Sequence, residues 1–448
     1  MRELTYSRVN RDILRTLETP GRRYWVLLAL LAAGVGFGAF SEYTQIERGM
    51  GMAGKYIPAA WFVYITTFVF WVGIAHSGTL ISAILFLFRA KWRTPVYRSA
   101  EAMTVFAVMT AGLFPLIHLG RAWYFYWLLP LPNQRELWPN FRSPLLWDVF
   151  AVSTYFTVSS MFLFLGLIPD VAAARDRASG WRRKLYSIVS LGWRGTDNEW
   201  KHYAAAYMFF AAFATPLVIS VHSVVSWDFT MAIVPGWHST IFAPYFVAGA
   251  IHSGLAMVVT LLLPLRKIFK LEGFLAPEHF EYLAKMMILT GLIVAYAYGI
   301  EFFVAWYAGN PFELSTFMDR AFGPHAHLFW TMVTCNCALP LLFFFRRVRR
   351  NPWALGIIGV LINVGMWLER FVIIAVSLMN DYLPSTWRKE FHFTWVEIGI
   401  LVGSFSWFLL LFSIFAKLFP VVSITEVKEA LPEPRRAEAA VSEAEASS

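Results

Sequence analysis

Apolar stretches of about 20 residues, long enough to cross a bilayer, recur along the chain between charged residues, Pro or Asn. They lie at residues 24–41, 59–88, 102–129, 145–168, 203–225, 242–265, 283–308, 326–345, 353–379 and 394–419. The pattern predicts an all-α integral membrane protein with ten transmembrane helices. The tail from Pro420 onward is rich in Ala and Glu, so we expect it to be too polar to bury and either disordered or bound to a partner.

Composition supports the membrane prediction. Of 448 residues, 58% are hydrophobic and 15% are charged, whereas a soluble domain carries about 25% charged residues. Cys335 and Cys337 provide neither a disulfide framework nor a Cys-x-x-Cys-His motif, so we expect no covalent haem or iron–sulfur cluster on this chain. The formal charge of +9 is distributed among loops, and nucleic-acid binding is therefore not expected.

The distribution of Lys and Arg predicts the orientation. Most of them lie at the N-terminus, in the connections after helices two, four, six and eight, and in the tail. By the positive-inside rule, we expect both termini to be cytoplasmic, and the predicted location is a bacterial inner membrane. Residues 181–186, in the longest inner connection, are typical of an amphipathic interfacial segment. No short apolar segment with a cleavage site follows the N-terminus, so no cleaved signal peptide is expected.

An internal repeat is indicated by His76-Ser77-Gly78 in helix two, which recurs as His252-Ser253-Gly254 in helix six. The offset of four helices preserves orientation, so we predict two parallel four-helix bundles, helices two to five and six to nine, flanked by helices one and ten. The expected divisions are residues 1–58 (N-terminus, helix one and first periplasmic loop), 59–241 (first bundle, with the site), 242–393 (second bundle), 394–419 (helix ten) and 420–448 (tail).

Ionisable residues inside the spans are candidates for function, because a charge at the bilayer centre costs about 2.5–3.5 kcal/mol on the insertion scale. Most of them lie in the outer halves of their spans. They are His76, His118, Arg121, Asp148, His222, Asp228, His252, Glu301, His325, His327, Glu369 and Arg370.

His118 and Asp148 form the most informative pair. His118 is in helix three, Arg121 is expected on the same face one turn later, and Asp148 enters the next helix at a similar depth beside Trp147. Pro115 can open the helix near the imidazole. A His and a carboxylate among aromatic rings suit a quinone, which stacks on aromatics and exchanges two protons. The alternative is that Asp148 caps its helix, His118 makes a structural hydrogen bond and the aromatics form an interfacial belt.

The other polar residues suggest a proton route, with structural alternatives left open. Glu369 and Arg370 could instead form a neutral pair that fixes helix register. His76 and His252 precede small residues that permit close helix contact, so each could simply bond across it. His325 and His327 point apart and make a poor chelating pair. Histidines on facing helices could hold haem b, but no helix carries two histidines about a dozen residues apart for stacked haems.

Several motifs resemble the NrfD or polysulfide-reductase membrane-subunit family. They are FWVGIAHSGTLISA at residues 70–83, RSAEAMT at 98–104 and GLFPLIHLGR at 112–121. The motifs PNQ at 132–134, FRSPLLWD at 141–148 and MWLERF at 366–371 narrow the resemblance to the larger quinol-oxidising subunit of alternative complex III, the ActC type.

The resemblance implies two haem-free four-helix bundles that bind quinol or menaquinol near the periplasm. His118 and Asp148 match the family's quinol residues, with Arg121 and Trp147 beside them. It implies proton half-channels, for which the candidates here are His76, His222, Asp228, Glu301, His325, His327, Glu369 and Arg370. The implied partners are a periplasmic iron–sulfur subunit, haem c subunits and a second NrfD-like membrane subunit. A secondary transporter built from repeats and a passive anchor for a periplasmic redox module are the alternatives.

Overall fold

The computed structural model describes residues 5–54, 61–129, 141–380, 382 and 391–431, and all regular structure within them is helical. The helices long and apolar enough to cross a membrane are α2 (Arg22–Arg48), α3 (Phe62–Leu87), α4 (Tyr97–Ile117), α5 (Pro144–Arg175), α7 (Asp197–Thr230), α8 (Phe242–Ile268), α9 (Pro277–Ala308), α11 (Ala326–Phe344), α12 (Pro352–Val376) and α13 (Trp395–Leu418). Shorter helices include α1 (Tyr6–Leu14), α6 (Gly180–Val189), α10 (Pro311–Phe322) and α14 (Ile424–Glu429). The predicted all-α fold with ten spans is confirmed, and the chain is a multi-pass membrane protein.

Local sequence explains where many of these helices begin. Proline occupies the first turn of α5, α9, α10 and α12, where its missing N–H costs no hydrogen bond. Capping boxes start two spans: the side chain of Thr196 bonds with Glu199 in α7, and that of Thr394 bonds with Glu397 in α13. These signals fix the residues at which the helices begin.

The two helices with the His-Ser-Gly motif pack against each other near the centre of the molecule. α3 also contacts α4, and α8 contacts α9 and α12, while α5 packs on α7 and α2 packs on α13. The most apolar window of α3 is 83% buried, whereas that of α2 is 6% buried. α3 and α8 are therefore core helices, whereas α2 lies at the periphery, packed on α13 and with most of its residues exposed. The grouping into two repeated bundles stays a prediction.

The third span differs from the prediction of residues 102–129. α4 ends at Ile117, and the chain then turns at Gly120, whose φ is +69°, into a short 3-10 segment over Ala122–Leu128. Pro115 removes a backbone donor in the last turn, and a side chain at Gly120 would lie 2.6 Å from Met50. Arg121 is exposed beyond this turn, so its expected place on the helix face of His118 is wrong.

The first part of the tail is folded, contrary to the expectation of disorder or partner binding. Asp170 Oδ1 accepts hydrogen bonds from the backbone N–H and the hydroxyl of Thr425, both at 2.9 Å. Glu426 pairs with Arg93 at 2.8 Å, and burial raises the pKa of that carboxyl despite the arginine. Ile424 and Val427 are buried with them. Polar groups of this segment can be buried because buried charged side chains of the membrane domain bind them.

Some predictions fall on residues outside the described ranges. They are the motif at residues 132–134 and the part of the tail at residues 432–448.

Candidate functional site

His118 is the residue that closes α4 at its C-terminal end. The sequence predicts that this end faces the periplasm, and it is called the outer end below. Its Nδ1 is 3.0 Å from the carbonyl oxygen of Phe114, one turn earlier. Since a carbonyl only accepts, the ring carries its proton on Nδ1, and Nε2 keeps a lone pair. The half-buried imidazole is thus arranged to accept a proton on Nε2.

The carboxyl groups of Asp148 and Asp228 lie within hydrogen-bonding reach of each other. Asp148 lies near the start of α5, and Asp228 lies near the end of the antiparallel helix α7. Among the residues that the structure describes, the Oδ1 atom of each is shielded from solvent and has no hydrogen-bond partner. Two carboxyl groups can share a hydrogen bond only when one of them carries a proton. The two side chains can therefore act as an acid pair, which holds one proton and can accept a second.

Two tryptophans accompany this acid pair. The Trp147 ring packs edge-on against the Trp227 ring with centroids 5.9 Å apart, and the indole N–H of Trp147 donates to the Phe141 carbonyl at 2.7 Å. The sequence therefore carries a Trp-Asp dipeptide at facing ends of two helices. The repeated dipeptide was the available signal that Asp228 belongs with Asp148 rather than with a separate proton route.

The structure shows only part of the predicted pairing of His118 with Asp148. Both lie at the outer ends of neighbouring helices, but His118 bonds with the Phe114 carbonyl and Asp148 lies within reach of Asp228. A ligand placed between them remains a prediction.

A second polar group near His118 was not among the predicted residues. The side-chain N–H of Gln45 donates to the Ile117 carbonyl at 2.9 Å and to Glu42 at 3.1 Å, and Tyr64 donates to Gln45 Oε1 at 2.5 Å. Gln45 and Tyr64 are completely buried. The usable signal was a glutamine and a carboxylate near the outer end of an otherwise apolar first span.

His76 and His222 meet at the interface of α3 and α7, with ring centroids 4.5 Å apart. His76 Nδ1 is 2.7 Å from the Val72 carbonyl oxygen, and both ring nitrogens of His222 are buried without a hydrogen-bond partner in the part of the chain that the structure describes. A bis-histidine haem needs the porphyrin between its two axial rings, whereas these rings contact each other directly. This pair does not fit haem b.

The glycines after His76 and His252 support close packing. A Cβ atom on Gly78 would overlap Thr104 Oγ1, and one on Gly254 would lie 2.7 Å from the Ile74 carbonyl oxygen. His252 Nδ1 bonds with Thr290 Oγ1 at 2.8 Å, across to α9. His252 therefore fits the structural alternative, in which the histidine of the motif bonds across a close contact between helices.

A buried network surrounds Glu369 and Arg370 in α12. Arg370 pairs with Glu369 at 2.7 Å, and its guanidinium lies 4.3 Å from the Phe246 ring centroid. Tyr298 donates to Glu369, and Asn336 donates to Tyr298 at 2.9 Å. Asn336 lies in a π-helical turn of α11, and another π-helical turn follows Arg370 in α12. Such turns leave backbone groups available to polar neighbours and often mark functional sites.

Glu301 faces Arg320, which belongs to α10 between two spans. Both line a cavity of about 10 Å³ with Tyr245 and Tyr298, enough for roughly one water molecule. Arg320 is 3% exposed and donates to Ser377 Oγ at 2.5 Å, and burial lowers its pKa. His325 and His327 lie farther out at the start of α11, with ring centroids 6.5 Å apart.

Within the described residues no three His, Cys, Asp or Glu side chains form a group able to hold a metal ion. Asp148, Asp228 and His118 are groups at this end of the helices that can take up and release protons.

Comparison with known proteins identifies the family. The sequence model described as polysulphide reductase, NrfD, matches residues 51–380. The chain belongs to the NrfD family. A Halobacterium salinarum protein, provisionally named as a membrane component of a dimethyl sulfoxide reductase, is 30% identical over 251 residues, which cover 56% of this chain and 53% of that protein. This match thus spans about half of that relative's length.

Two further relatives of this NrfD-family chain align over nearly their whole lengths. A component of the selenate reductase of Mesobacillus selenatarsenatis is 22% identical over 89% of this chain and 94% of its own. The integral membrane subunit of an Hdr-like menaquinol oxidoreductase of Archaeoglobus fulgidus is 21% identical over 94% and 99%, respectively. The matched NrfD range contains α3 to α12 and therefore His118 and the acid pair.

Proposed function

We propose that this chain is the membrane subunit of a quinol-oxidising complex of the alternative complex III type. The observation that carries the proposal is the shielded acid pair of Asp148 and Asp228, at the same end of the helices as His118. The menaquinol oxidoreductase named for the Archaeoglobus relative supports menaquinol as the substrate class. The positive-inside rule puts this end of the helices at the periplasm of a bacterial inner membrane.

Quinol oxidation releases two protons and two electrons. The acid pair already holds one proton, so it accepts one of the two, and Nε2 of His118 accepts the other. Trp147 and Trp227 supply aromatic surfaces for the ring. The electrons pass to an acceptor outside this chain, for which the resemblance implies a periplasmic iron–sulfur subunit followed by haem c subunits. The proposed membrane part also includes a second NrfD-like protein.

The inner polar residues are proposed to carry protons through the membrane. Tyr298, Glu369 and Asn336 form a continuous hydrogen-bonded chain, and Glu301 lies on the same small cavity as Tyr298. Proton conduction needs adjacent groups that exchange donor and acceptor roles, which the hydroxyl and carboxyl groups here can do.

The proposal is tested by variants in the assembled complex. We expect His118→Ala, Asp148→Asn and Asp228→Asn each to lower quinol-dependent cytochrome c reduction by about 10²–10⁴-fold, as for loss of a general base. His238→Ala is the matched control, because His238 is exposed in the connection after α7. Near-normal turnover in all three variants would favour the passive anchor. Solute flux through vesicles containing this chain alone would favour the transporter.

A further inference from the structure

A large cleft opens at the cytoplasmic end of the molecule, away from the proposed quinol site. It lies between the segment after α1, the start of α2, the helix α6 and the end of α13. Its volume is about 1190 Å³, larger than a typical small-molecule pocket of about 300–1,000 Å³. A ligand of this cleft is therefore expected to be bulky.

Three cationic side chains line the cleft: Arg177, Arg182 and Lys417. Arg182 donates to the Leu17 carbonyl, and Lys417 Nζ donates to the Thr16 carbonyl at 2.8 Å. These carbonyls are neutral, and within the described residues none of the three cations forms an ion pair. Arg182 and Lys417 are close enough to repel each other. The cleft thus holds excess positive charge, opposed by the exposed Glu18 alone among its lining residues.

The remaining wall is apolar and continuous with the lipid-facing surface. Trp25 and Trp181 are 59% and 62% exposed, respectively, and Leu28 and Ile414 line the cleft between them. Tryptophan is enriched at the depth of lipid headgroups. Since α2 is almost unburied along its apolar length, hydrocarbon chains can extend from the cleft along it.

We propose that this cleft binds one anionic glycerophospholipid. Its phosphodiester lies between Arg182 and Lys417, and its acyl chains follow Leu28 and Ile414. Basic pockets between transmembrane helices at the cytoplasmic face are suited to anionic headgroups. The apolar wall favours a lipid over a free phosphate ion, which would use the charges and leave that wall exposed to water.

The proposal is tested by native mass spectrometry of the full chain in detergent, titrated with phosphatidylglycerol or phosphatidylcholine. One basic residue beside an anionic lipid contributes about fivefold in affinity, so removing two should weaken binding about 25-fold. We expect this loss for phosphatidylglycerol in Arg182→Gln with Lys417→Gln. The matched control is Arg183→Gln with Lys184→Gln, which removes equal charge from exposed positions of α6 outside the cleft and should leave affinity unchanged.

Two further measurements separate the alternatives. Arg182→Lys with Lys417→Arg keeps both charges and should retain binding, which distinguishes loss of charge from misfolding. Inorganic phosphate at millimolar concentration should not displace the lipid. Any of four results would overturn the proposal. They are an equal loss of phosphatidylglycerol affinity in the two Gln double variants, equal affinity for the two lipids, loss of binding in the charge-preserving variant, and displacement of the lipid by phosphate.

Discussion

Replacing Asp170 tests whether a buried carboxylate in α5 holds residues 420–431 against the membrane domain. Its Oδ1 accepts two hydrogen bonds from Thr425 at 2.9 Å, and its Oδ2 accepts one from Arg98 Nη2 at 3.1 Å. The side chain is completely buried. Asp170→Ala therefore removes all three bonds and leaves Arg98 paired with Glu101 alone at 3.3 Å.

The expected magnitude follows from these contacts. Hydrogen bonds to a charged group contribute about 1.5–3 kcal/mol each, so the two bonds to Thr425 together hold the segment by at least about 3 kcal/mol. A difference of 1.4 kcal/mol corresponds to a tenfold change in an equilibrium constant. The fraction of molecules in which residues 420–431 are detached from the membrane domain should therefore rise about 100-fold in Asp170→Ala. Asp170→Asn retains an oxygen acceptor for Thr425 and should give a smaller increase.

Trypsin cleavage after Lys428, followed by mass spectrometry of the folded chain, measures this fraction, because slow cleavage reports the population of the open form. Asp176→Asn is the matched control: Asp176 follows the same helix but is exposed, and its ion pair is with Arg175 at 3.0 Å. If cleavage in Asp170→Ala rises no more than in Asp176→Asn, the segment is not held by Asp170 and the reasoning fails.

Two further predictions concern the core and the inner polar network. Gly78→Ala should lower the melting temperature, because the added Cβ would overlap the Ala100 carbonyl oxygen and overpacking costs about 1–3 kcal/mol. The control variant Gly36→Ala should leave the melting temperature unchanged, because there is open space around Gly36. Equal melting temperatures for the two variants would contradict the packing role of Gly78. In the assembled complex, Glu369→Gln should reduce proton uptake from the cytoplasmic side per quinol oxidised while leaving affinity for a quinol analogue unchanged. Unaltered proton stoichiometry would remove Glu369 from the proposed route.

The spans were predictable from the sequence because the bilayer imposes a local constraint. A helix without water needs about 20 apolar residues, and features such as Pro144 and the Thr394 capping box mark its ends. The depth of an ionisable residue follows from its place in a span, so His118 and Asp148 were recognisable as candidates. The prediction of one helix over residues 102–129 is wrong because Pro115 and Gly120 together end α4.

Contacts between spans were decided by the tertiary structure alone. Asp148 and Asp228 belong to different helices, as do His76 and His222, and the rotation that brings each pair together depends on the packing of the whole bundle. The same holds for the burial of Arg320 and for the docking of Thr425 on Asp170. Hydropathy reports how deep a residue lies, but the partner it faces depends on which helices approach each other, and no local pattern encodes that.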